Sequence, residues 1–342
     1  MESPDLRKFA ALLIAIVLVV GLWSGGWVWA AGELRTQVAA LAANDGETDP
    51  RLTCGTLNVT GFPFRFDLEC ADATLVRQDL TLTVAGLRAS AMAYNPTHVL
   101  VSAKAPLTLA DAFSGAQSRV DFTGLQASGR LASRDILEGF SGAGWRIANI
   151  SLVADGVAWT DTVFGDVQRM RADHVEAHLV DLPEGRDKAA GTATLGLYAS
   201  LDNLAFPELQ LVNAQSTLEA RIDQLPDDLN DLLAPDAVRA WQGRGGKLTL
   251  VKFQGTQPSP DEKFEIAGEV SLGPTGLANG QVTYTTKGVL DRLLSAYRVP
   301  PLQIAAFKGM PAADGSSTNT LAIADGRVTL AGFLLAELLP AF

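Results

Sequence analysis

Two cysteines and three histidines are all the thiol and imidazole chemistry that 342 residues offer, which excludes a large metal cluster or a zinc-ribbon array. Cys54 and Cys70 flank the segment Gly61-Phe62-Pro63-Phe64-Arg65-Phe66. In an exported chain, an even cysteine count favours a disulfide. A tight turn pivoting on Phe62 sets position 54 opposite position 70, and a loop of about 15 residues closed this way stabilises by roughly 3 kcal/mol in the chain-entropy model. One detail resists that register. Leu57 and Val59 are odd-numbered while Phe64, Phe66 and Leu68 are even, so apolar side chains would face polar ones. A β-bulge at Gly61 restores the phase, in a hairpin or in one long bent strand, and only the hairpin joins the sulfurs.

Phe62, Phe64 and Phe66 make an aromatic stripe with two readings, a clamp for a ligand tail or plain core. Arg65 points to the opposite face, toward a carboxylate such as Asp67 or toward a partner; as a surface ion pair it contributes at most about 1 kcal/mol. His174 and His178 stand four apart with Glu176 between them. On a helix they would share a zinc ion, but the alternation Val175, Ala177, Leu179 indicates a strand, where positions four apart are about 13 Å apart and cannot ligate one metal. His98 follows Asn95-Pro96 and serves the turn or the strand start. Asp45, Glu47 and Asp49 lack the glycine and distal glutamate of a calcium loop. Gly139-Phe140-Ser141-Gly142 lacks the register of a nucleophile elbow. Gly243-Arg244-Gly245-Gly246-Lys247 has Trp241 and Leu248 where a phosphate loop needs glycine and a hydroxyl. Asp227-Asp228 precedes an expected helix, whose dipole favours acids there. The chain therefore reads as a non-enzyme with no catalytic residue, no cofactor and no metal.

The elements that position these residues are mainly strands. From Arg51 onward apolar residues alternate with Thr, Ala, Ser, Gly and Asn. Clear runs are Leu80–Val84, Val99–Ala103, Arg119–Thr123, Ile147–Ala158, His174–Val180, Ala193–Ala199, Lys247–Phe253, Phe264–Leu272, Gln281–Thr285 and Leu321–Leu330. Asp155-Gly156 and Asp325-Gly326 sit inside such runs and read as hairpin turns. Two helical insertions interrupt the pattern. One is a helix, or two short helices meeting at Pro235, over Leu225, Leu229, Leu232, Leu233, Val238 and Trp241. The other covers Leu290, Leu293, Leu294 and Tyr297, stopped by Pro300-Pro301. The expected fold is mainly β: a long antiparallel sheet, curled or sandwich-like, with 51–342 as one exported domain. Whether the sheet closes on itself or curls around a hydrophobic guest is left open by periodicity.

Phe9 to Ala31 carries no charge and reaches about 34 Å as a helix, enough to cross a bilayer core of about 30 Å. Arg7 and Lys8 precede it, which places residues 1–8 in the cytoplasm by the positive-inside bias, and Trp23, Trp27 and Trp29 form an aromatic belt at the far end. The alternative is a signal peptide cleaved near Ala30. In either case the body is exported. Residues 32–50 read as a helical continuation, with Leu34, Val38 and Leu41 on one side, and then a polar linker. Glu2, Asp5, Arg7 and Lys8 cancel, so the exported part carries the whole net charge of −11. A body this acidic has no footprint for nucleic acid and little attraction for anionic lipid.

The Gly61–Phe66 segment resembles the GFP-x-RF motif of the bacterial domain of unknown function 2125 family (DUF2125). Tyr94-Asn95-Pro96-Thr97-His98-Val99, Asp155-Gly156-Val157-Ala158-Trp159 and Ala172 to Leu179 are similar to later segments of that family, in order. The resemblance implies a single-span envelope protein and brings no catalytic residues with it. The tail, from Gly245 through Leu330, is also similar in texture to AsmA-like envelope proteins, which implies a long sheet with a lipid-holding apolar groove. Two functions remain: an inner-membrane-anchored periplasmic protein that binds or conducts a hydrophobic ligand, a lipid by that likeness, or a module with a closed β-sandwich core that docks an envelope protein partner.

Overall fold

The computed structural model describes residues 4–133, 144–258, 261–290, 292 and 307–342. Of the expected helix over Leu290, Leu293, Leu294 and Tyr297, Leu290 is described and helical; the other three and the Gly139–Gly142 segment lie outside the described residues. Helix α1 runs over Pro4–Ala40, and a 3-10 turn, Leu41–Ala43, continues it. From Phe9 to Trp29 its Leu, Ile and Val side chains are exposed around most of the circumference. It is one helix long and apolar enough to cross a membrane.

By their contacts the residues form two compact units, although no break in composition separates them. One comprises Met1–Val120 with Asp161–Asp166, the other Asp121–Thr160 with Val167–Phe342. The first unit adds to α1 the strands β1 (Arg51–Thr53), β2 (Thr56–Thr60), β3 (Arg65–Arg77), β4 (Leu80–Met92), β5 (Asn95–Asp111) and β6 (Gln117–Asp121). β1 and β2 both pair antiparallel with β3, and β3, β4, β5 and β6 follow in order.

The β2–β3 pairing corrects the expected register. Its axis lies between Pro63 and Phe64, not on Phe62, so odd positions face even ones: Leu57 opposes Cys70 and Val59 opposes Leu68. Apolar meets apolar without a break in the pairing, and no bulge at Gly61 is needed. Cys54 lies in the gap between β1 and β2, where the Gly55 amide donates to the Ala71 carbonyl at 2.8 Å. Its Cα is 5.2 Å from that of Cys70, and the two are joined as a disulfide. Cys70, Ala73 and Val84 form the buried centre of this unit, with Cys54, Leu57, Leu87 and Ala103 against it.

The second unit is an antiparallel succession. Its strands are β7 (Gly124–Ser133), β8 (Trp145–Asp161), β9 (Val167–Asp181), β10 (Thr192–Phe206), β11 (Leu211–Pro226), β12 (Lys247–Gln257), β13 (Glu262–Leu272) and β14 (Ala278–Lys287). β15 (Met310–Pro311), β16 (Ser317–Ala324), β17 (Arg327–Leu330) and β18 (Phe333–Glu337) complete it. Between β11 and β12 lie two short helices, α2 (Leu229–Leu232) and α3 (Ala237–Gly243). Asp228 caps the first, accepting from the Asn230 amide at 2.9 Å. The two Asp-Gly pairs behave differently. Asp325-Gly326 turns β16 into β17 with both residues at positive φ, the geometry a two-residue hairpin needs. Asp155-Gly156 is no turn: β8 runs straight through it. The Thr123 amide bonds the Asp155 carbonyl at 2.9 Å, and a Cβ on Gly156 would come within 3.0 Å of Thr123, so this glycine lets a neighbouring residue press against the strand.

Among the described residues, few large side chains are fully buried. Leu330 is the largest, followed by Thr192, Thr194, Asp67 and Cys70. The sheet faces are built from half-buried Leu, Val and Phe rather than a thick closed core. Protein oxidised in air is expected to show Cys54 and Cys70 in one disulfide-linked peptide by mass spectrometry. The Cys54→Ser/Cys70→Ser variant is expected to lose about 3 kcal/mol in denaturant unfolding; free thiols in the native protein would contradict this.

Candidate functional site

Trp23, Trp27, Ala31, Leu34 and Val38 recur every three or four residues, so they share one face of α1. The β2–β3 turn, residues 61–64, is applied to that face. Trp27 stacks on Phe66 with ring centroids 5.4 Å apart and planes 6° from parallel, and it meets Phe62 edge-on, also at 5.4 Å. Trp23 packs on Phe64 at 6.2 Å. The two indoles also donate hydrogen bonds, Trp23 Nε1 to the Pro63 carbonyl at 2.9 Å and Trp27 Nε1 to the Arg65 carbonyl at 3.0 Å. The spacing that permits both is geometric. Trp23 and Trp27 stand about one turn, or 6 Å, apart along α1, and they reach one carbonyl in the turn, that of Pro63, and one at the start of β3, that of Arg65. The phenylalanine stripe is thus taken up by the chain's own tryptophans. The signal in the sequence was the pairing of two tryptophans four apart with a Phe-x-Phe-x-Phe run.

Gly61 makes the turn possible. Its φ is +101°, its carbonyl accepts from the Arg65 amide at 3.0 Å, and a Cβ there would sit 2.6 Å from the Arg65 carbonyl oxygen. No other residue type fits.

Arg65 and Asp67 alternate with the phenylalanines and lie on the other face of β3. Asp67 is 1% exposed, so this is not the surface ion pair that the sequence suggests. One carboxylate oxygen accepts from Arg65 Nε at 2.7 Å and Nη2 at 2.6 Å and has Arg88 Nη2 at 3.3 Å. The other accepts from Ser90 Oγ at 2.5 Å. Burial pushes the Asp67 carboxyl up, but the Ser90 hydroxyl and the Arg65 and Arg88 guanidinium groups outweigh it and hold the group below its ordinary value.

Above the clasp, α1 and the sheet diverge slightly and leave an apolar groove of about 460 Å³. Ala30, Leu34 and Val38 form one wall; Phe66, Leu68, Ala91 and Val99 form the other, bordered by Ser90, whose hydroxyl is turned to Asp67 on the opposite face. The second unit has a cavity of its own, about 330 Å³, walled by Leu201, Leu204, Leu211, Phe253 and Phe264. At its side Arg292 Nε and Nη2 bind Glu262 at 2.8–3.0 Å.

The histidines lie on β9, as the alternation indicates, and are engaged separately. His174 Nδ1 is 2.7 Å from Asp155, whose bond and charge raise the imidazole above its ordinary value. His178 sits between Ser151 Oγ, 2.9 Å from Nδ1, and Glu176, 3.3 Å from Nε2. The serine, imidazole and carboxylate are lined up, but they are neighbours on adjacent strands. The amides that an oxyanion hole would need are committed to the ladder around Ser151 and Tyr198. Arg146 and Arg186 both bind Asp181, where burial raises the carboxyl despite Arg146.

Hydrogen exchange in the full-length protein reports on the clasp. Gly61→Ala and Trp27→Ala are each expected to speed exchange of the Arg65 amide at least about tenfold, equivalent to about 1.4 kcal/mol of local stability; unchanged exchange would mean that the clasp does not hold the turn. Asp67 sets an acid limit. Because its folded-state value is depressed, its stabilisation is complete above the ordinary carboxylate range and is lost as pH falls through the folded value. Ser90→Ala is expected to move that loss of stability to higher pH, followed by unfolding as a function of pH.

A family model described as an uncharacterized protein conserved in bacteria, DUF2125, matches residues 27–338, and the chain belongs to that family. No curated protein and no solved structure matches it, and similarity to AsmA-like proteins is not shown by these comparisons.

Proposed function

With membership of that family as the premise, we propose that the chain is a single-span envelope protein that binds a hydrophobic ligand, an acyl chain of a lipid, in the groove between α1 and the sheet. The groove carries this reading: it begins one helical turn beyond Trp27, and its walls are apolar, with Ser90 at their border. A volume of about 460 Å³ lies within the usual range of ligand pockets. A groove there lets an acyl chain pass from the bilayer to the protein without crossing water. The thin core and the second apolar cavity agree with a body that handles apolar molecules. In this reading α1 is retained, residues 1–8 are cytoplasmic by the positive-inside bias, and the body is periplasmic. This reading assigns the groove a binding role without a catalytic step.

A second reading is a docking module for an envelope protein. It is favoured by β18, whose five residues are all exposed, with Phe333, Leu334 and Leu335 among them, an apolar strand of the type that accepts strand addition. Native mass spectrometry of full-length protein released from lipid nanodiscs separates the two. The first expects a retained lipid mass that Leu34→Trp, which fills the groove, removes while the protein stays folded. Lipid retention equal in wild type and variant, or none in either, favours the second.

A further inference from the structure

The clasp lies at a depth that α1 itself measures. A bilayer core of about 30 Å takes about 20 helical residues, so a span that begins at Phe9, after Lys8, ends near Val28. Trp23 and Trp27 are therefore inside or at the boundary of the hydrocarbon layer on the body's side. Phe62, Pro63 and Phe64 touch these two indoles, and so must be there too. The chain path gives the same depth independently. From Ala43 back to Trp23 is about 30 Å of helix, and from Arg51 down to Thr60 is about 30 Å of strand. The β2–β3 hairpin runs back along the helix and reaches the membrane it came from.

A second tip stands beside it. Arg65 pairs with Met92, and the Ala93 amide donates to the Phe64 carbonyl at 2.8 Å, so the turn between β4 and β5 is level with the first. Phe62 and Phe64 are 55% and 60% exposed, Met92 and Tyr94 42% and 73%. No charged residue occurs in Gly61–Phe64 or in Met92–Thr97, whereas the turns at the opposite end of the same strands carry Asp79 and Asp111. Nearby Asp67 is neutralised by Arg65 and Arg88.

We propose that these two tips dip into the membrane leaflet on the body's side, so that Phe62, Phe64, Met92 and Tyr94 form a lipid-facing surface continuous with α1. Aromatic and thioether side chains suit that layer, and the lack of charge there removes the cost of burying ions in lipid. The inference rests on α1 being retained as a span; it does not require the groove to hold a ligand.

The native cysteines are joined, so one added cysteine is the single free thiol for a fluorophore. Tyr94→Cys and, separately, Met92→Cys carry it at the tip. Phe113→Cys, 87% exposed at the far turn of β5, carries it as the control. The full-length proteins are placed in phosphatidylcholine nanodiscs containing lipid with a nitroxide near the top of the acyl chain. Quenching at 94 and 92 at least about twofold stronger than at 113 is expected for a tip within the leaflet. Equal quenching at tip and control overturns the proposal, as does a tip shielded from lipid by a bound protein. An intact mass lacking the first thirty residues overturns it as well. A quenched tip with no lipid retained in the groove would uphold this surface while removing the proposed function.

Discussion

Everything in the first unit depends on Trp27 being held between Phe62 and Phe66. A membrane span normally leaves its soluble part free to pivot on the residues that follow it. Here the helix continues as far as Ala40, the chain reverses, and the returning hairpin grips the helix at Trp23 and Trp27. Each aromatic pair of this kind is worth about 0.5–1.5 kcal/mol beyond its burial, and three of them act together with two indole hydrogen bonds. Both bonds go to main-chain carbonyls, so the grip fixes backbone and not just side chains. With β3 fixed, the strands paired to it are fixed as well, and the groove walls take their separation from the same contact.

The alternation of β3 keeps two incompatible tasks apart. Phe62, Phe64 and Phe66 need a dry aromatic surface, while Asp67 needs donors. Period two sends the rings to the helix and Arg65 and Asp67 to the other face. Leaving Asp67 buried without its partners would be strongly destabilising, so the arginines, Ser90 and the carboxylate stand or fall together. Ser90 pairs with Asp67 across the strands and turns its hydroxyl to the same face, away from the groove.

Much of this was readable in the residue pattern, and the failures have definite causes. The long helix, the mainly antiparallel β-body, the strand under His174 and His178 and the two short helices around Pro235 follow from period and punctuation. Asp325-Gly326 and Asp155-Gly156 look alike in sequence, yet one is a turn and the other a pressed point within β8, because what decides is the neighbouring Thr123, distant in sequence from Gly156. The pairing axis of the hairpin was misplaced by a residue and a half. Placing it between Pro63 and Phe64 removes the phase conflict that seemed to call for a bulge, so the conflict itself was the clue. The clasp was out of reach for a different reason: the tryptophans were assigned to the lipid and the phenylalanines to the sheet, and their match emerges only when the turn at 61–64 is laid against the helix face that carries Trp23 and Trp27.

The charge distribution gives the membrane-facing surface its physical sense. The part of the chain that follows residue 31 carries the whole net charge of −11, which anionic lipid repels, and the acids at Asp79 and Asp111 occupy the ends of the strands away from the clasp. A protein so charged approaches a bilayer most easily through surface that carries no charge, and the two tips beside Trp23 and Trp27 carry none. The same constraint explains why the site's one buried acid is surrounded by donors: an uncompensated Asp67, one strand residue beyond the clasp, would expel the hairpin from the layer in which its aromatic rings are stable. Neutral tips and a compensated acid are therefore one requirement of the proposed surface, in which a strand hairpin lies against a helix at a membrane.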